Sequence, residues 1–249
     1  MNLIDTRPAF VLKSVNNADA YEAVASHYYD ARLHPTCAAF RAASVDLARE
    51  LAPGLPSSGV TIELGAGRAV VPEAIDWWTE RPLLLVDASP AMLAHSRDWI
   101  ARGATPIVAD ARASGLLAAS AGLIVASLAD PFNDGSLWRE IRRLLRPGGV
   151  VIMTTPSYSW ARAFRREGQR TAFNSAEFET PGGPRVALPS LIIPEAEQAT
   201  VVADAGLQLV AIRGRRVSDV PEAARAPKLQ GVPVDANFVT AYVCAAYDH

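Results

Sequence analysis

The sequence predicts an α/β protein built on a mostly parallel sheet with helices on both faces. Two observations carry that prediction. Short apolar runs recur at 60–64 (VTIEL), 82–86 (PLLLV), 106–109 (PIVA), 122–128 (GLIVASL) and 150–155 (VVIMTT). Helix-like segments fall between them, at 70–80, 90–102, 113–119 and 136–146. Strands apolar on both faces and separated by helices belong to a parallel sheet covered on both sides. Connections of this length suit right-handed crossovers.

The flanking segments follow other patterns. Residues 17–52 read as helical with a break at His34-Pro35, since Pro disfavours helix at the residue before it. Tyr21, Val24, Ala25, Tyr28 and Tyr29 recur at helical spacing, as do Phe40, Ala43, Leu47 and Leu51. The PGLPSSG stretch at 53–59 is a turn or linker. Residues 157–190 show no clean period but carry Arg162, Arg165, Arg166 and Arg170, and Pro181-Gly182-Gly183-Pro184 predicts a hairpin. A helix is expected at about 194–205, stopped by Gly206. Two β-like runs, 208–217 and 237–247, are expected to pair antiparallel across a Pro-rich connection.

Composition narrows the function classes. The 249 residues are 50% hydrophobic and 20% charged, which excludes a disordered or fibrous chain. The net charge of −2 gives no global attraction to nucleic acid or an anionic membrane. All but two of the 24 basic residues (Lys13 and Lys228) are Arg, and Ala is frequent, which reads as a GC-rich bacterial coding bias. Cys37 and Cys244 make neither a disulfide framework nor a zinc signature. The start, MNLIDTRPAF, lacks the pattern of a secretory signal. The apolar runs are strand-sized, short of the roughly 20 residues a membrane helix needs. The expected setting is a reducing cytoplasm.

Four constellations stand at the strand ends. Glu63-Leu64-Gly65-Ala66-Gly67-Arg68-Ala69 closes the first strand, and its glycines allow a sharp turn and close ligand approach. Val86-Asp87-Ala88-Ser89-Pro90-Ala91-Met92 closes the second. An acid at Asp87 can accept hydrogen bonds from both ribose hydroxyls. Ser89-Pro90 suits a helix start, with Ser as cap and Pro first. Asp110-Ala111 follows the third strand, where a carboxylate can accept from an adenine amino group. Leu144-Leu145-Arg146-Pro147-Gly148-Gly149-Val150 turns a helix into the fifth strand.

In this order and spacing the motifs resemble the class I methyltransferase family that uses S-adenosylmethionine, and most of all its small-molecule branch of methyltransferase type 11. The resemblance covers about 60–155 through its motifs and 194–247 by topology. It implies a Rossmann-like seven-stranded sheet whose last strand is antiparallel, with an N-terminal helical lid (1–55), a cofactor-binding core (57–156), an inserted cap (157–192) and a closing helix and strands (193–249) in one domain. Glu63 would sit under the methionine amino group, and Gly65, Ala66 and Gly67 would line the methionine and ribose. Asp87 and Ala88 would border the ribose, with Met92 packed on adenine. Asp110 and Ala111 would meet the adenine edge, and Ser127 and Leu128 would border the reacting methyl group. Tyr29 is the lid residue assigned to the methionine carboxylate. Two departures stand out: Ala69 replaces the family's third glycine, and Ala121-Gly122 replaces an acid at the start of the fourth strand.

The acceptor side is less patterned. His34 and Asp130 are the candidate catalytic bases, since a hydroxyl acceptor needs one. Asp130-Pro131-Phe132-Asn133 also invites an amino-methyltransferase reading, although the second Pro of that motif is missing. The Arg cluster after the fifth strand can attract an anionic acceptor. Trp160, Phe164, Phe173 and Phe178 are candidates for a pocket wall. The expected activity is O- or N-methylation of a small metabolite or natural product, with no metal, no nucleic acid and no membrane. A nicotinamide-dependent oxidoreductase, a protein or nucleic-acid methyltransferase and a non-catalytic cofactor-binding protein are the alternatives.

Overall fold

The computed structural model describes residues 17–56, 58–164 and 175–246. Helices α1 (Asn17–Tyr28) and α2 (Pro35–Leu51) come first, parted at His34 as the proline requires. The alternating region holds β1 (Val60–Leu64), α3 (Val71–Ala74), β2 (Leu83–Asp87), α4 (Pro90–Leu93), α5 (Arg97–Ile100), β3 (Thr105–Val108), β4 (Ala121–Ala126), α6 (Gly135–Leu144) and β5 (Leu145–Pro156). Then come α7 (Tyr158–Phe164), the hairpin strands β6 (Ser175–Phe178) and β7 (Val186–Pro189), α8 (Glu195–Asp204), β8 (Leu207–Arg216) and β9 (Asn237–Ala246).

The main sheet has the order β3-β2-β1-β4-β5-β9-β8. The β1–β2, β2–β3, β1–β4 and β4–β5 pairs are parallel, and β9 runs antiparallel to both neighbours. Chain order reverses between β1 and β4, and the crevice beyond the carboxyl ends of strands at such a reversal is where open α/β sheets bind ligands. Strand alternation divides the core between the two faces. Ile62, Leu64, Ile124 and Ala126 pack with Leu137, Trp138, Ile141 and Val202 of α6 and α8. Leu83, Leu85, Leu123 and Val125 pack with Val45, Ala48, Val71, Ile75 and Trp78 on the other side. Each fully buried Leu or Ile contributes about 1.5–3 kcal/mol.

Three expected helices differ. The segment 113–119 is irregular: Gly115 and Ala119 take positive φ (70° and 51°). The amide and hydroxyl of Ser114 both donate to Glu140 Oε1, at 3.0 and 2.6 Å. The 70–80 helix is α3 followed by a 3-10 turn at Asp76–Glu80, because Ile75 turns extended and buries its side chain. The 90–102 helix is interrupted by a 3-10 turn at Ala94–Ser96, where the Ser96 hydroxyl bonds a neighbouring loop. One helix was not expected at all: α7 opens the 157–190 region. The predicted hairpin there is β6–β7, and α1 packs its Ala20, Val24, Tyr21 and Tyr28 against Phe178 and Leu188 of that hairpin. Arg162 is exposed on α7; Arg165, Arg166, Arg170 and Phe173 lie outside the described residues. Arg215 on β8 pairs with Glu50 of α2 at 2.9 Å.

Glu140 ties α6 to the loop after β3. Its hydrogen bonds from Arg143 and Ser114 hold its carboxyl down to about 2, against an ordinary 4.5. Its contribution is therefore fully present above pH 4.5 and is lost as pH falls through about 2. Glu140→Gln is expected to cost roughly 1–3 kcal/mol at neutral pH and to flatten the acid limb of stability in that window. Urea unfolding across a pH series checks both, and an unchanged acid limb would remove Glu140 from this account.

Candidate functional site

Two cavities meet beyond the carboxyl ends of β1, β2 and β4. The first, of about 450 Å³, lies over the loop after β1. The second, of about 630 Å³, lies between α1, α2, α7 and the β6–β7 hairpin. Tyr21, Tyr28, His34, Cys37, Leu128 and Pro131 line both, so the two are continuous in wall.

The loop after β1 is held by its own amides. Ala66 N donates to Val86 O at 2.9 Å, and Gly67 N to Asp87 Oδ2 at 2.9 Å. Arg68 N donates to the Tyr29 hydroxyl at 2.8 Å and Ala69 N to Ser96 Oγ at 2.9 Å. Val70 N and Val71 N donate to the two oxygens of Glu63, at 2.6 and 3.0 Å. Six consecutive amides are thus satisfied by groups from α1, β1, β2 and the turn after α4. Gly65 takes φ of 66°, and a side chain there would strike Phe132. Gly67 takes φ of 42°, and its missing Cβ would meet the Tyr29 hydroxyl. The glycines serve close packing of neighbouring rings as well as backbone freedom.

Most sequence-derived cofactor candidates stand around the first cavity: Tyr29, Gly65, Ala66, Asp87, Ala88, Met92, Asp110, Ala111, Ser127 and Leu128. Glu63 and Gly67 lie behind it. Glu63 is buried and caps α3 rather than reaching into the cavity, and burial pushes its carboxyl up to about 7. Asp87 accepts from Ser89 N and Gly67 N, which leaves each oxygen a further lone pair. Burial raises its carboxyl, and the Ser89 and Gly67 amides oppose that. Asp110 is held by Arg112 through two side-chain bonds of 3.0 and 2.8 Å, which lower its carboxyl. Leu128 carries a positive φ of 49°, a strained backbone between the two cavities, pinned by Leu128 N donating to Thr154 Oγ1 at 2.9 Å.

Both base candidates line the second cavity. His34 is buried and lines the first as well, and among the described residues its Nε2 has no partner. Burial first, then the nearby His27 and Lys228, lower its pKa below the ordinary 6.5, so the neutral ring is favoured at pH 7. Asp130 is buried and lines only the second cavity. Asn133 lines neither: it exchanges hydrogen bonds with Gln198 and accepts from Trp138 Nε1 at 3.0 Å.

Four residues escaped the sequence reading. Arg41 of α2 bonds both oxygens of Glu73 (2.9 and 2.8 Å) and the carbonyls of Arg68 and Ala69, and lines the first cavity with Nε unpaired. Ser96 bridges Ala69 N and Gly67 O. Glu22 accepts from Ser89 Oγ and Ala91 N, and with His95 Nε2 on Ala25 O (2.7 Å) it fastens α1 to α4. Arg112 fixes Asp110. None has a local motif; each acts across 27 or more residues except Arg112. Among the described residues, no group of three or more His, Cys, Asp or Glu could hold a metal, and no helix is long and apolar enough to cross a membrane.

Residues 62–153 match the family described as Methyltransferase domain. No protein of curated function matches in sequence. Similar solved structures include a chain from the complex between the Haloferax volcanii Trm112 methyltransferase activator and its methyltransferase, with 16% identity, coverage of 94% of this chain and 99% of that one, and a TM-score of 0.65. The CcbJ methyltransferase from Streptomyces caelestis shares 15% identity over 94% of this chain and 100% of its own, with a TM-score of 0.56. The glycopeptide N-methyltransferase MtfA, complexed with S-adenosylmethionine, shares 15% over 82% and 95%, with a TM-score of 0.53.

The carboxyl of Glu63 yields a stability prediction. Its folded value of about 7 exceeds 4.5, so the ionised form opposes folding. Wild-type stability is expected to fall as pH rises from 4.5 to about 7 on its account and to level off beyond. Glu63→Gln should abolish that fall while costing roughly 1–3 kcal/mol at low pH, because its amide NH₂ opposes a donor at Val70 or Val71. Denaturant unfolding of both proteins at each pH gives the difference curve; a flat one contradicts the assignment.

Proposed function

We propose that this chain, a class I S-adenosylmethionine-dependent methyltransferase by its domain match and fold, methylates a small organic acceptor at oxygen or nitrogen. The observation that carries the reading is the closed amide network of the loop after β1. A dinucleotide enzyme presents such amides to a pyrophosphate. Here Ala66 through Val71 already donate within the protein. What the cavity offers instead is the Asp87 carboxylate, an apolar wall of Met92, Ala111 and Leu128, and the Arg41–Glu73 ion pair. That set fits an adenosyl group with a zwitterionic tail, and about 450 Å³ lies within the roughly 300–1,000 Å³ of small-molecule sites.

S-adenosylmethionine supplies the activated methyl group on its sulfonium. The residues of this chain bind, align and exclude water. Asp87 takes the ribose hydroxyls through its spare lone pairs. The Tyr29 hydroxyl, which accepts from Arg68 N, keeps its own proton to donate to the methionine carboxylate. Ser127 and Leu128 border the point of transfer where the cavities meet. His34 Nε2 accepts the proton of a hydroxyl acceptor there, being neutral, buried and without another partner. Asp130 is the second candidate, from the wall of the acceptor cavity. In this reading α1 is the lid and the α7–hairpin region is the cap.

Calorimetric titration with S-adenosylmethionine, S-adenosylhomocysteine and NAD tests the cofactor. The two adenosyl ligands are expected to bind, NAD not, and Asp87→Ala to weaken binding roughly ten- to a hundredfold or more. Tight NAD binding, or none of the three, would overturn the reading. Once an acceptor is in hand, kcat/KM should show an acid limb with its midpoint below 6.5 that disappears in His34→Gln. A limb that survives the substitution would pass the role to Asp130.

A further inference from the structure

The second cavity is walled by two aromatic groups. Tyr28, Phe178 and His34 form one, with Tyr28 stacked on Phe178 at 5.2 Å and His34 tilted against it at 5.0 Å. Phe40, Trp160 and Phe164 form the other, at 4.8 Å edge-on and 5.3 Å stacked. Faces and edges of this kind favour a flat aromatic guest. The charges are unevenly spent. Glu177 and Glu179 are both engaged by Arg185, at 3.3 and 3.1 Å. Lys228 and Arg32 also line the cavity, and among the described residues neither side chain has an anionic partner.

The backbone of Lys228 is held in place and its side chain is exposed at the cavity rim: its carbonyl accepts from Trp160 Nε1 at 2.8 Å, and its Nζ stands 5.8 Å from the Phe164 ring centre. It comes from the 3-10 turn at Pro227–Leu229, which packs on α2 and α7. Asp130 comes from another turn, packed on β5 and β7, and its charge acts on Tyr21, Tyr28 and Cys37. The charge of Lys228 also reaches Cys37, so the carboxylate and the ammonium rise from different turns and flank the same stretch of α2.

We infer that the acceptor is an aromatic compound bearing an anionic group, its ring between the two aromatic walls and its anion on Lys228. This rests on the methyltransferase reading for the word acceptor, but the cavity's preference is measurable without turnover.

Three phenols of similar size separate the charges: para-hydroxyphenylacetate, para-ethylphenol and tyramine. Each is titrated calorimetrically, up to millimolar concentration, into wild type, Lys228→Met and Lys228→Arg, with S-adenosylhomocysteine titrated into the same samples. Wild type is expected to bind the anion most tightly. Lys228→Met should weaken that binding roughly ten- to a hundredfold, the range of a charge-assisted hydrogen bond, and leave para-ethylphenol unchanged; Lys228→Arg should retain the preference. Binding of para-ethylphenol or tyramine as tight as the anion's overturns the inference. So does a preference that persists in Lys228→Met, or no binding of the anion at all. S-adenosylhomocysteine reports separately: if it fails to bind while the anion preference holds, the cofactor reading falls and the anion cavity stands.

Discussion

Six backbone amides in a row, Ala66 to Val71, decide what this site can hold. A loop that turns from strand to helix ordinarily leaves several donors without partners, and those donors recruit an anion. Here Val86, Asp87, Tyr29, Ser96 and Glu63 take them all. The loop is therefore a rigid floor rather than an anion cradle. Its rigidity is shared: Tyr29 directly follows α1, so helix, floor and the Asp87 carboxylate form one connected set. Buried polar networks of this kind are worth more when complete than pair by pair.

The same set explains why the N-terminal region belongs to the site. Glu22 and His95 fasten α1 to α4, Tyr29 fastens it to the floor, and Phe178 fastens it to the hairpin. Arg41 does the equivalent for α2, reaching Glu73 and two loop carbonyls. Apolar packing joins these polar contacts: Ala20 and Val24 of α1 are buried against the hairpin, Val45 and Ala48 of α2 against the sheet, and Leu47 against β9. The N-terminal helices are thus part of the packed structure around both cavities.

The sheet and the strand-end motifs were legible because they are local. An apolar run followed by Gly65-Ala66-Gly67 or by Asp87 carries its own strand, turn and helix start within a few residues. The count of seven strands and the antiparallel last strand came from the family resemblance and are observed; the strand order came from the structure. What stayed illegible acts at a distance. Ser96 breaks a helix because its hydroxyl serves a loop 27 residues away, and no periodicity records that. Arg41 acts on Glu73, 32 residues away, and nothing in the pattern around it records that. Glu63 was placed under a ligand but caps α3, since a buried acid at a strand end can serve either purpose. Asn133 looked like chemistry and is tied up with Gln198 and Trp138.

The division between the two cavities follows the chain. The Methyltransferase domain match spans 62–153 and contains the floor, Asp87, Met92, Ala111 and Leu128. Of the residues that line the second cavity, Leu128, Asp130 and Pro131 alone fall inside that span; the rest come from 21–40 and from 156 onward. A shared core thus transmits one half of a binding site and leaves the other to segments that a family match does not constrain. At 16% identity or less, likeness to the solved neighbours speaks for the sheet and not for those segments. The chemistry of the acceptor has to be read from the cavity's own aromatic walls and from the charge balance among Lys228, Arg32, Arg185 and the carboxylates beside them.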